Sequence, residues 1–147
     1  MESTQYTYYH PIVVRYGDLD PQGHVNNVVY LTYLESARLG YYQQVGIYHP
    51  DSRLLTGMVV VHNEIDYLAS IRFGQGVRVG LRVESLGTKS ITFAFQIETD
   101  PEGISLARGK SVMVTYDNEK AQSIPIPPDW REKIIQYERH NGNEELT

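Results

Sequence analysis

The side chains best suited to chemistry in this chain are concentrated in one stretch, Arg15–Asn27, which reads RYGDLDPQGHVNN. It holds two carboxylates, Asp18 and Asp20, an imidazole, His24, and two consecutive asparagines. Carboxylates and imidazoles bind metals, act as general acids or bases, and attack carbonyl carbons. The stretch could therefore be a metal-binding loop, an ordinary turn or part of the active site of an enzyme.

A metal-binding loop is the least supported of these three interpretations. Asp18 and Asp20 followed by a glycine imitate the start of a calcium loop, but its twelfth position needs a bidentate glutamate, and Val29 stands there. Among the other histidines, His62 is the candidate for a second ligand, and two isolated histidines fall short of a transition-metal site. The chain has no cysteine, which excludes disulfides, thiolate zinc sites and a cysteine nucleophile. We expect no metal cofactor.

An ordinary turn explains part of the stretch. Asp20 before Pro21, with Gly23 following, is typical of a turn, and Asn26 is well suited to cap a helix. A turn needs only two or three such residues, and this corner of the chain holds many more. The excess of polar groups favours a functional role.

The helix that follows is the element that must position the polar stretch. From Asn27 to about Val45, apolar residues recur at spacings of three and four, which is one face of a helix. The stripe consists of Tyr30, Leu34, Ala37, Tyr41 and Val45. We expect Asn26 to cap this helix and Gly46 to end it.

The rest of the chain has the pattern of β-strands, followed by one short helix. Thr7–Tyr16 and Gly57–Leu68 are strand-like, and the runs VRVGLRVESL, SITFAFQIE and SLARGKSVMVTY predict an antiparallel meander. DWREKIIQYERH predicts a C-terminal helix capped by Asp129, and residues 141–147 are expected to fray. One apolar-striped helix on one large sheet predicts a single two-layer α+β domain over residues 1–147.

The composition limits the classes of partner. Lys and Arg total 13 against 18 Asp and Glu, a net charge of −5, so no basic face for nucleic acid is implied. No apolar run approaches the roughly 20 residues of a membrane span, and the N-terminus lacks the features of a signal peptide. We therefore expect a cytoplasmic protein with neither nucleic acid nor membrane as its partner.

The stretch GDLDPQGHVNNVVYLTYLESAR, Gly17–Arg38, resembles the motif of the hot-dog-fold acyl-CoA thioesterases of the 4-hydroxybenzoyl-CoA thioesterase type. That pattern runs roughly D-x-D-x-x-G-[HV]-V-x-[NYH]-x-x-Y and continues into a helix with an acidic residue and A-R. The resemblance implies a hot-dog fold, in which a large antiparallel sheet wraps one long central helix. It also implies hydrolysis of an acyl-CoA thioester to a free acid and coenzyme A, with no separate cofactor, by a homodimer or homotetramer with shared active sites.

By the same resemblance, Asp20 matches the catalytic aspartate of the family. It would attack the thioester directly or act as a general base on water, and the sequence leaves both routes open. The backbone N–H of Asn27 matches the group that polarises the thioester carbonyl. The first N–H groups of a helix lack intrahelical partners, and the helix dipole adds positive potential there, as an oxyanion hole requires.

Further residues of the motif have less uniform roles. His24 stands where a plant-like branch of the family places a histidine that assists catalysis, and other branches have an apolar residue there. Tyr16 matches a tyrosine that some members place beside the aspartate. We interpret Asp18 as a turn cap or surface partner, and Glu35 as a structural residue spaced to pair with Arg38 at i,i+3.

Two other functions remain open at this point. The chain could be a thioesterase for acyl-carrier proteins, because the HVNN version of the motif is similar to plant enzymes of that type. It could also be a non-catalytic module that binds acyl ligands, although the presence of Asp20 beside a helix start argues against that role. The identity of the acyl group does not follow from the sequence.

Overall fold

The computed structural model describes residues 6–48 and 56–147. Its elements in chain order are β1 (Tyr8–Ile12), a 3₁₀ turn (Tyr16–Asp18), α1 (Asn27–Val45), β2 (Thr56–Tyr67), β3 (Val77–Leu86), β4 (Ser90–Thr99), β5 (Ser105–Asp117), β6 (Gln122–Ser123) and α2 (Pro128–His140). The predicted α+β class and element order are confirmed. The first strand is shorter than the predicted Thr7–Tyr16, because the chain leaves the sheet after Ile12 and enters the 3₁₀ turn.

The strands form one antiparallel sheet in the order β1-β3-β4-β5-β2, with the short β6 beside β5. The predicted meander of β3, β4 and β5 is confirmed. β2 is an edge strand that pairs only with β5 within the described residues. Neither helix in this part of the chain is long and apolar enough to cross a membrane.

The core lies between α1 and the inward face of the sheet, chiefly over β1 and β3. Side chains along β3 and β4 point alternately to the two faces of the sheet, and the apolar residues at every second position point into this core. These side chains are Val77, Val79, Leu81, Val83, Ile91, Phe93, Phe95 and Ile97, all at most 2% exposed. The stripe of α1 packs against them, with Leu34, Ala37 and Tyr41 almost fully buried. The period-2 and period-3.6 patterns of the sequence therefore correctly identified the core.

The ends of α1 are those expected from the sequence. The Asn26 side chain accepts a hydrogen bond from the Val28 N–H at 3.2 Å, which satisfies one of the free donors of the first turn. Gly46 ends the helix with φ 92°, a left-handed conformation that glycine adopts without a Cβ penalty. The start of α1 is thus fixed directly after the polar stretch.

The C-terminal region differs from the prediction in two respects. Asp129 does not cap α2, because the helix begins one residue earlier, at Pro128, and places Asp129 inside its first turn. Residues 141–147 also pack against the domain instead of fraying. Leu146 is 5% exposed, and its carbonyl oxygen accepts a hydrogen bond from Arg139 Nε at 2.9 Å.

A buried carboxylate explains why the tail is held in place. Glu138 is fully buried, and its oxygens accept hydrogen bonds from the Thr7 and Tyr41 hydroxyls, the Val83 N–H and Asn143 Nδ2 at 2.7–2.9 Å. Asn143 thereby supplies one of the donors that a buried carboxylate requires. The tail therefore contributes a hydrogen bond to the Glu138 carboxylate, although its own sequence is polar and has the composition of a frayed end.

Candidate active site

Asp18 is a structural residue that shapes the polar stretch. Its side chain is 2% exposed and accepts hydrogen bonds from the Arg15 N–H at 2.9 Å, the Arg15 guanidinium at 3.1 and 3.3 Å, and the Tyr33 hydroxyl at 2.7 Å. Its backbone carbonyl also accepts a bond from the Asn26 N–H at 2.8 Å. Asp18 therefore ties the 3₁₀ turn to α1, and both its carboxylate oxygens are occupied.

These hydrogen bonds hold Asp18 in its charged form. Burial alone would raise the pKa of Asp18, but the bonds from the Arg15 N–H, the Tyr33 hydroxyl and the Arg15 guanidinium outweigh it and lower this pKa below its ordinary value. A carboxylate with a lowered folded pKa stabilises the protein above its unfolded pKa of about 3.9, and this contribution is lost as pH falls through the folded pKa.

We expect Asp18→Asn to destabilise the fold in a pH-dependent manner. The amide cannot accept all these bonds, so the free energy of unfolding at pH 7 should fall by about 1–3 kcal/mol. The difference from the wild type should begin to shrink below about pH 3.9, where Asp18 of the unfolded chain takes up a proton, and should keep shrinking as pH falls through the lower folded pKa. Urea unfolding followed by circular dichroism at pH 7 and pH 3 measures both quantities. An equal difference at the two pH values would contradict the assignment.

Asp20 lies at the start of a tight hairpin and retains one free oxygen. The Asp20 N–H donates to the His24 carbonyl at 2.7 Å, and the Gly23 N–H donates to the Asp20 carbonyl at 3.0 Å. Oδ1 of Asp20 accepts from the Gln22 and His24 N–H groups at 2.9 and 3.2 Å. Oδ2 accepts no hydrogen bond within the described residues. The hairpin thus fixes the carboxyl group and leaves one oxygen for chemistry.

The first N–H of α1 is also free. No oxygen of the described residues accepts a hydrogen bond from the Asn27 N–H, as is normal for the first turn of a helix. The Asn27 carbonyl accepts a bond from the Tyr67 hydroxyl at 3.1 Å, and the Tyr30 hydroxyl donates to the Ala69 carbonyl at 3.2 Å. These two bonds hold the end of β2 against the start of the helix.

Asp20, His24 and Asn27 lie together in the lining of one open pocket of about 350 Å³. The rest of the lining is Val25, Tyr30, Tyr67, Leu68, Ala69 and Ser70. The His24 ring makes no hydrogen bond to the described residues, so both its nitrogens are available to hydrogen-bond a ligand. The structure thus brings together a carboxylate, an imidazole and a helix N–H, which suits attack on a carbonyl group.

Tyr16 is not part of this pocket lining. Its side chain is 81% exposed and meets the Phe73 ring edge to face at 6.2 Å between centroids. It belongs to the 3₁₀ turn that ends at Asp18, and that turn points it outward. A catalytic role for Tyr16 stays a prediction that the geometry of this chain does not support.

The prediction of an ion pair between Glu35 and Arg38 is wrong. Glu35 is exposed, whereas Arg38 is 5% exposed and donates to Ser111 Oγ at 3.5 Å. The i,i+3 spacing permits an ion pair, but Arg38 points into the interior between α1 and β5, where Ser111 lies. Tertiary packing has overridden the local pairing.

The sequence did not identify Tyr67 and Ser70 as lining residues, and it assigned Tyr30 to the core alone. Tyr67 ends β2, and Ser70 follows in the loop, so neither belongs to the motif. A signal was nevertheless present, because an aromatic residue at the last position of a strand commonly borders a loop where sites form. Only the pairing of β2 with β5 places that strand end beside the start of α1.

The described residues include no cluster of three or more histidine, aspartate or glutamate side chains that could hold a metal ion. In the polar stretch, Asp18 is bound to Arg15 and Tyr33, and Asp20 binds two backbone N–H groups through Oδ1. The carboxylates that imitate a calcium loop are therefore engaged separately and do not converge.

Comparison with known proteins agrees with this fold. A thioesterase from Thermus thermophilus, solved with coenzyme A and Zn, is 34% identical, with a TM-score of 0.78 over 92% of this chain and 98% of that one. The PA5185 protein from Pseudomonas aeruginosa is 28% identical, with a TM-score of 0.83 over 91% and 93%. The chloroplastic acyl-acyl carrier protein thioesterase ATL3 of Arabidopsis thaliana is 28% identical over 130 residues, which is 87% of this chain and 67% of that protein.

Most of the chain also matches a whole protein family. Residues 14–134 match the thioesterase-like superfamily, a range that includes the polar stretch, α1 and most of α2. The architecture of one long helix on a large antiparallel sheet is the hot-dog fold that the motif predicted. This chain therefore belongs to the thioesterase-like superfamily.

Proposed function

We propose that this protein hydrolyses acyl-CoA thioesters to a carboxylic acid and coenzyme A. The observation that carries the proposal is the shared pocket of Asp20 and Asn27, in which a carboxylate oxygen and a helix N–H both lack hydrogen-bond partners among the described residues. Superfamily membership supports thioester chemistry, and the Thermus relative solved with coenzyme A supports coenzyme A as the carrier.

The reaction follows from these two groups. The thioester carbonyl oxygen accepts a hydrogen bond from the Asn27 N–H, which stabilises the negative charge that develops on that oxygen. In one route, Asp20 attacks the carbonyl carbon, the carbon–sulfur bond breaks, and the thiolate leaves. Water then hydrolyses the resulting anhydride and regenerates the carboxylate. In the other route, Asp20 takes a proton from water as the water oxygen attacks the carbonyl carbon, and the carbon–sulfur bond then breaks to release the thiolate.

His24 is proposed to serve the leaving group. Protonation of the departing sulfur converts the thiolate to a thiol, and a protonated His24 imidazole in the same pocket lining can donate the proton. The free ring nitrogens of His24 suit this role, whereas Asn27 contributes only its backbone. The role of His24 is therefore assistance to a reaction that Asp20 and Asn27 carry.

A panel of acyl thioesters tests the proposed function. Aromatic, short, medium and long acyl-CoA substrates are compared with the same acyl groups on acyl-carrier protein, with release of free thiol as the readout. Turnover of acyl-CoA supports the proposal. Turnover restricted to acyl-carrier protein would favour the alternative that the Arabidopsis relative suggests. Binding of acyl-CoA without thiol release would favour a non-catalytic module.

We also propose that the protein works as a homodimer, or as a homotetramer built from two such dimers, through the open edge of β2. This strand is 12 residues long, and Val59, Val60 and Val61 at its centre are 39%, 43% and 57% exposed. A long apolar edge strand is normally covered, and pairing with a second copy closes it through two-fold symmetry. Since Tyr67 at the end of β2 lines the Asp20 pocket, such a dimer places each pocket beside the partner.

We expect full activity after dialysis against EDTA. The proposed reaction uses a carboxylate and a backbone N–H, and stabilisation of an oxyanion by one such donor contributes about 3–4 kcal/mol without an ion. The thiol-release rate before and after dialysis, with re-addition of zinc or calcium, measures the effect. Activity that disappears with chelation and returns with a metal would identify Asp18, Asp20 and His24 as ligands and contradict the proposed mechanism.

A further inference from the structure

A second cavity lies along α1, away from the Asp20 pocket. It measures about 320 Å³ and is bounded by the middle of the helix and the first half of β2. Its apolar wall residues are Leu39, Met58, Val60 and Met113, and Glu35, Ser36, Arg38 and the Tyr42 hydroxyl supply polar groups. Residues of α1 and β2 line both cavities, with the start of α1 and the end of β2 at the Asp20 pocket and later helix residues and earlier strand residues at the second cavity.

Two charged residues, Arg38 and Glu35, line this second cavity, and only Arg38 is buried. It is 5% exposed, and its one hydrogen bond in the described part of the chain is the long contact to Ser111 Oγ at 3.5 Å. No carboxylate oxygen of residues 6–48 and 56–147 lies within 4.0 Å of its guanidinium nitrogens. Ser111 is itself fully buried and donates its proton to Asn63 Oδ1 at 2.6 Å. Most of the N–H donors of Arg38 are therefore unused.

A second donor without an acceptor borders the same cavity. The Tyr42 hydroxyl is buried and has no hydrogen-bond partner among the described residues. Burial raises the pKa of Tyr42, so the hydroxyl keeps its proton and can donate it. Two unused donors, one of them a cation, thus adjoin a cavity that is partly lined by apolar side chains.

Such an arrangement is unfavourable unless an acceptor arrives. The Glu35 carboxylate in the same wall acts on Arg38 through its charge, but no carboxylate of the described residues lies within 4.0 Å of the mostly buried guanidinium, and a buried charge is normally paired directly. Arginine presents a planar fork of N–H donors that matches a carboxylate with two parallel hydrogen bonds. The chemistry of the cavity is therefore complementary to a carboxylate carried on an apolar chain.

We propose that Arg38 binds a carboxylate at the far end of the acyl group, so that the preferred substrates are thioesters of dicarboxylic acids. This inference rests on the proposed thioesterase function. Asn27 and Arg38 are separated by about 16 Å along the helix axis, and helical side chains lean toward the N-terminus, which shortens the distance to the guanidinium. The acyl chain would extend from the Asp20 pocket along α1, with its methylene groups against Leu39, Met58 and Val60.

Hydrolysis of matched substrates tests the preference. Suberoyl-CoA and sebacoyl-CoA are compared with octanoyl-CoA and decanoyl-CoA, which have the same chain lengths and end in a methyl group. The wild type should prefer the carboxylate-ended substrate in kcat/KM, and Arg38→Met should reduce this preference by about 10- to 100-fold, the range for a hydrogen bond to a charged group. Arg38→Lys keeps the charge without the fork and should fall between the two.

Arg108→Met is the matched control. Arg108 lies on the same strand as Ser111, is exposed, and has the same charge as Arg38. This variant should keep the wild-type ratio of the two kcat/KM values. A wild type without preference for the carboxylate-ended chain, or an equal loss of preference in both arginine variants, would overturn the proposal.

Binding of free ligands separates this proposal from the proposed function. Octanoate and octanamide, which have the same chain length and differ in the charge of the head group, are titrated calorimetrically into the wild type and Arg38→Met. Octanoate should bind more tightly than octanamide to the wild type, and only octanoate should weaken in the variant. This result supports the Arg38 site even if no thioester is hydrolysed. Thioester hydrolysis with equal binding of the two ligands overturns the site and leaves the proposed function intact.

Discussion

Asp20→Asn is expected to fold as the wild type does and to lose most of its thioesterase activity. The amide is nearly the same size as the carboxyl group, and its oxygen can keep the hydrogen bonds from the Gln22 and His24 N–H groups that fix the hairpin. It is neither a comparable nucleophile nor a base, and loss of acid–base catalysis alone lowers the rate by about 10²–10⁴-fold. The measurements are kcat for the best acyl-CoA of the panel and the Tm.

Two other aspartates provide the controls. Asp18→Asn removes the charge of a carboxylate two residues away, and we expect it to lower the Tm because Asp18 is engaged with Arg15 and Tyr33. Asp129→Asn makes the same change at an exposed position in the first turn of α2, so it should leave kcat unchanged and lower the Tm less than Asp18→Asn does. Near-full turnover in Asp20→Asn, together with an inactive but stably folded Asp18→Asn, would place the catalytic carboxylate at Asp18.

Val61→Lys is expected to dissociate the proposed dimer and to remove activity with it. Val61 lies at an irregularity in the pairing of β2 with β5, at the centre of the exposed apolar run. A two-fold axis at this edge would place two lysines near each other in a partly desolvated interface, where like charges repel. Sedimentation should show at least twice the chain mass of 16.8 kDa for the wild type and a monomer for the variant.

Ile104→Lys is the matched control for this change. Ile104 is 60% exposed in the turn between β4 and β5, so the same introduction of a charge occurs away from the β2 edge. This variant should keep the wild-type mass and activity. A wild type that sediments as a 16.8 kDa monomer at micromolar concentration while fully active would rule out a site that needs the second copy.

The sequence by itself determined the elements whose formation depends on local forces. The bounds of α1 followed from the apolar stripe between Asn26, which caps the first turn, and Gly46, which takes the left-handed conformation. The meander from Val77 to Tyr116 followed from strict alternation, because a strand with one buried face permits one assignment of inward residues. The motif also placed Asp20, His24 and Asn27 in one pocket, since they lie within one hairpin and the first turn of one helix.

Tertiary structure decided the features that depend on groups distant in sequence. Asp18 and Asp20 have the same side chain and differ only in their surroundings, because Tyr33 on α1 approaches the first and leaves the second with a free oxygen. Arg38 is buried beside Ser111 instead of pairing with Glu35, because β5 lies close to that face of the helix. The tail beyond His140 is ordered by the buried Glu138, whose donors come from both ends of the chain. Local spacing carries no information about such partners, which meet only when the sheet brings distant strands against α1.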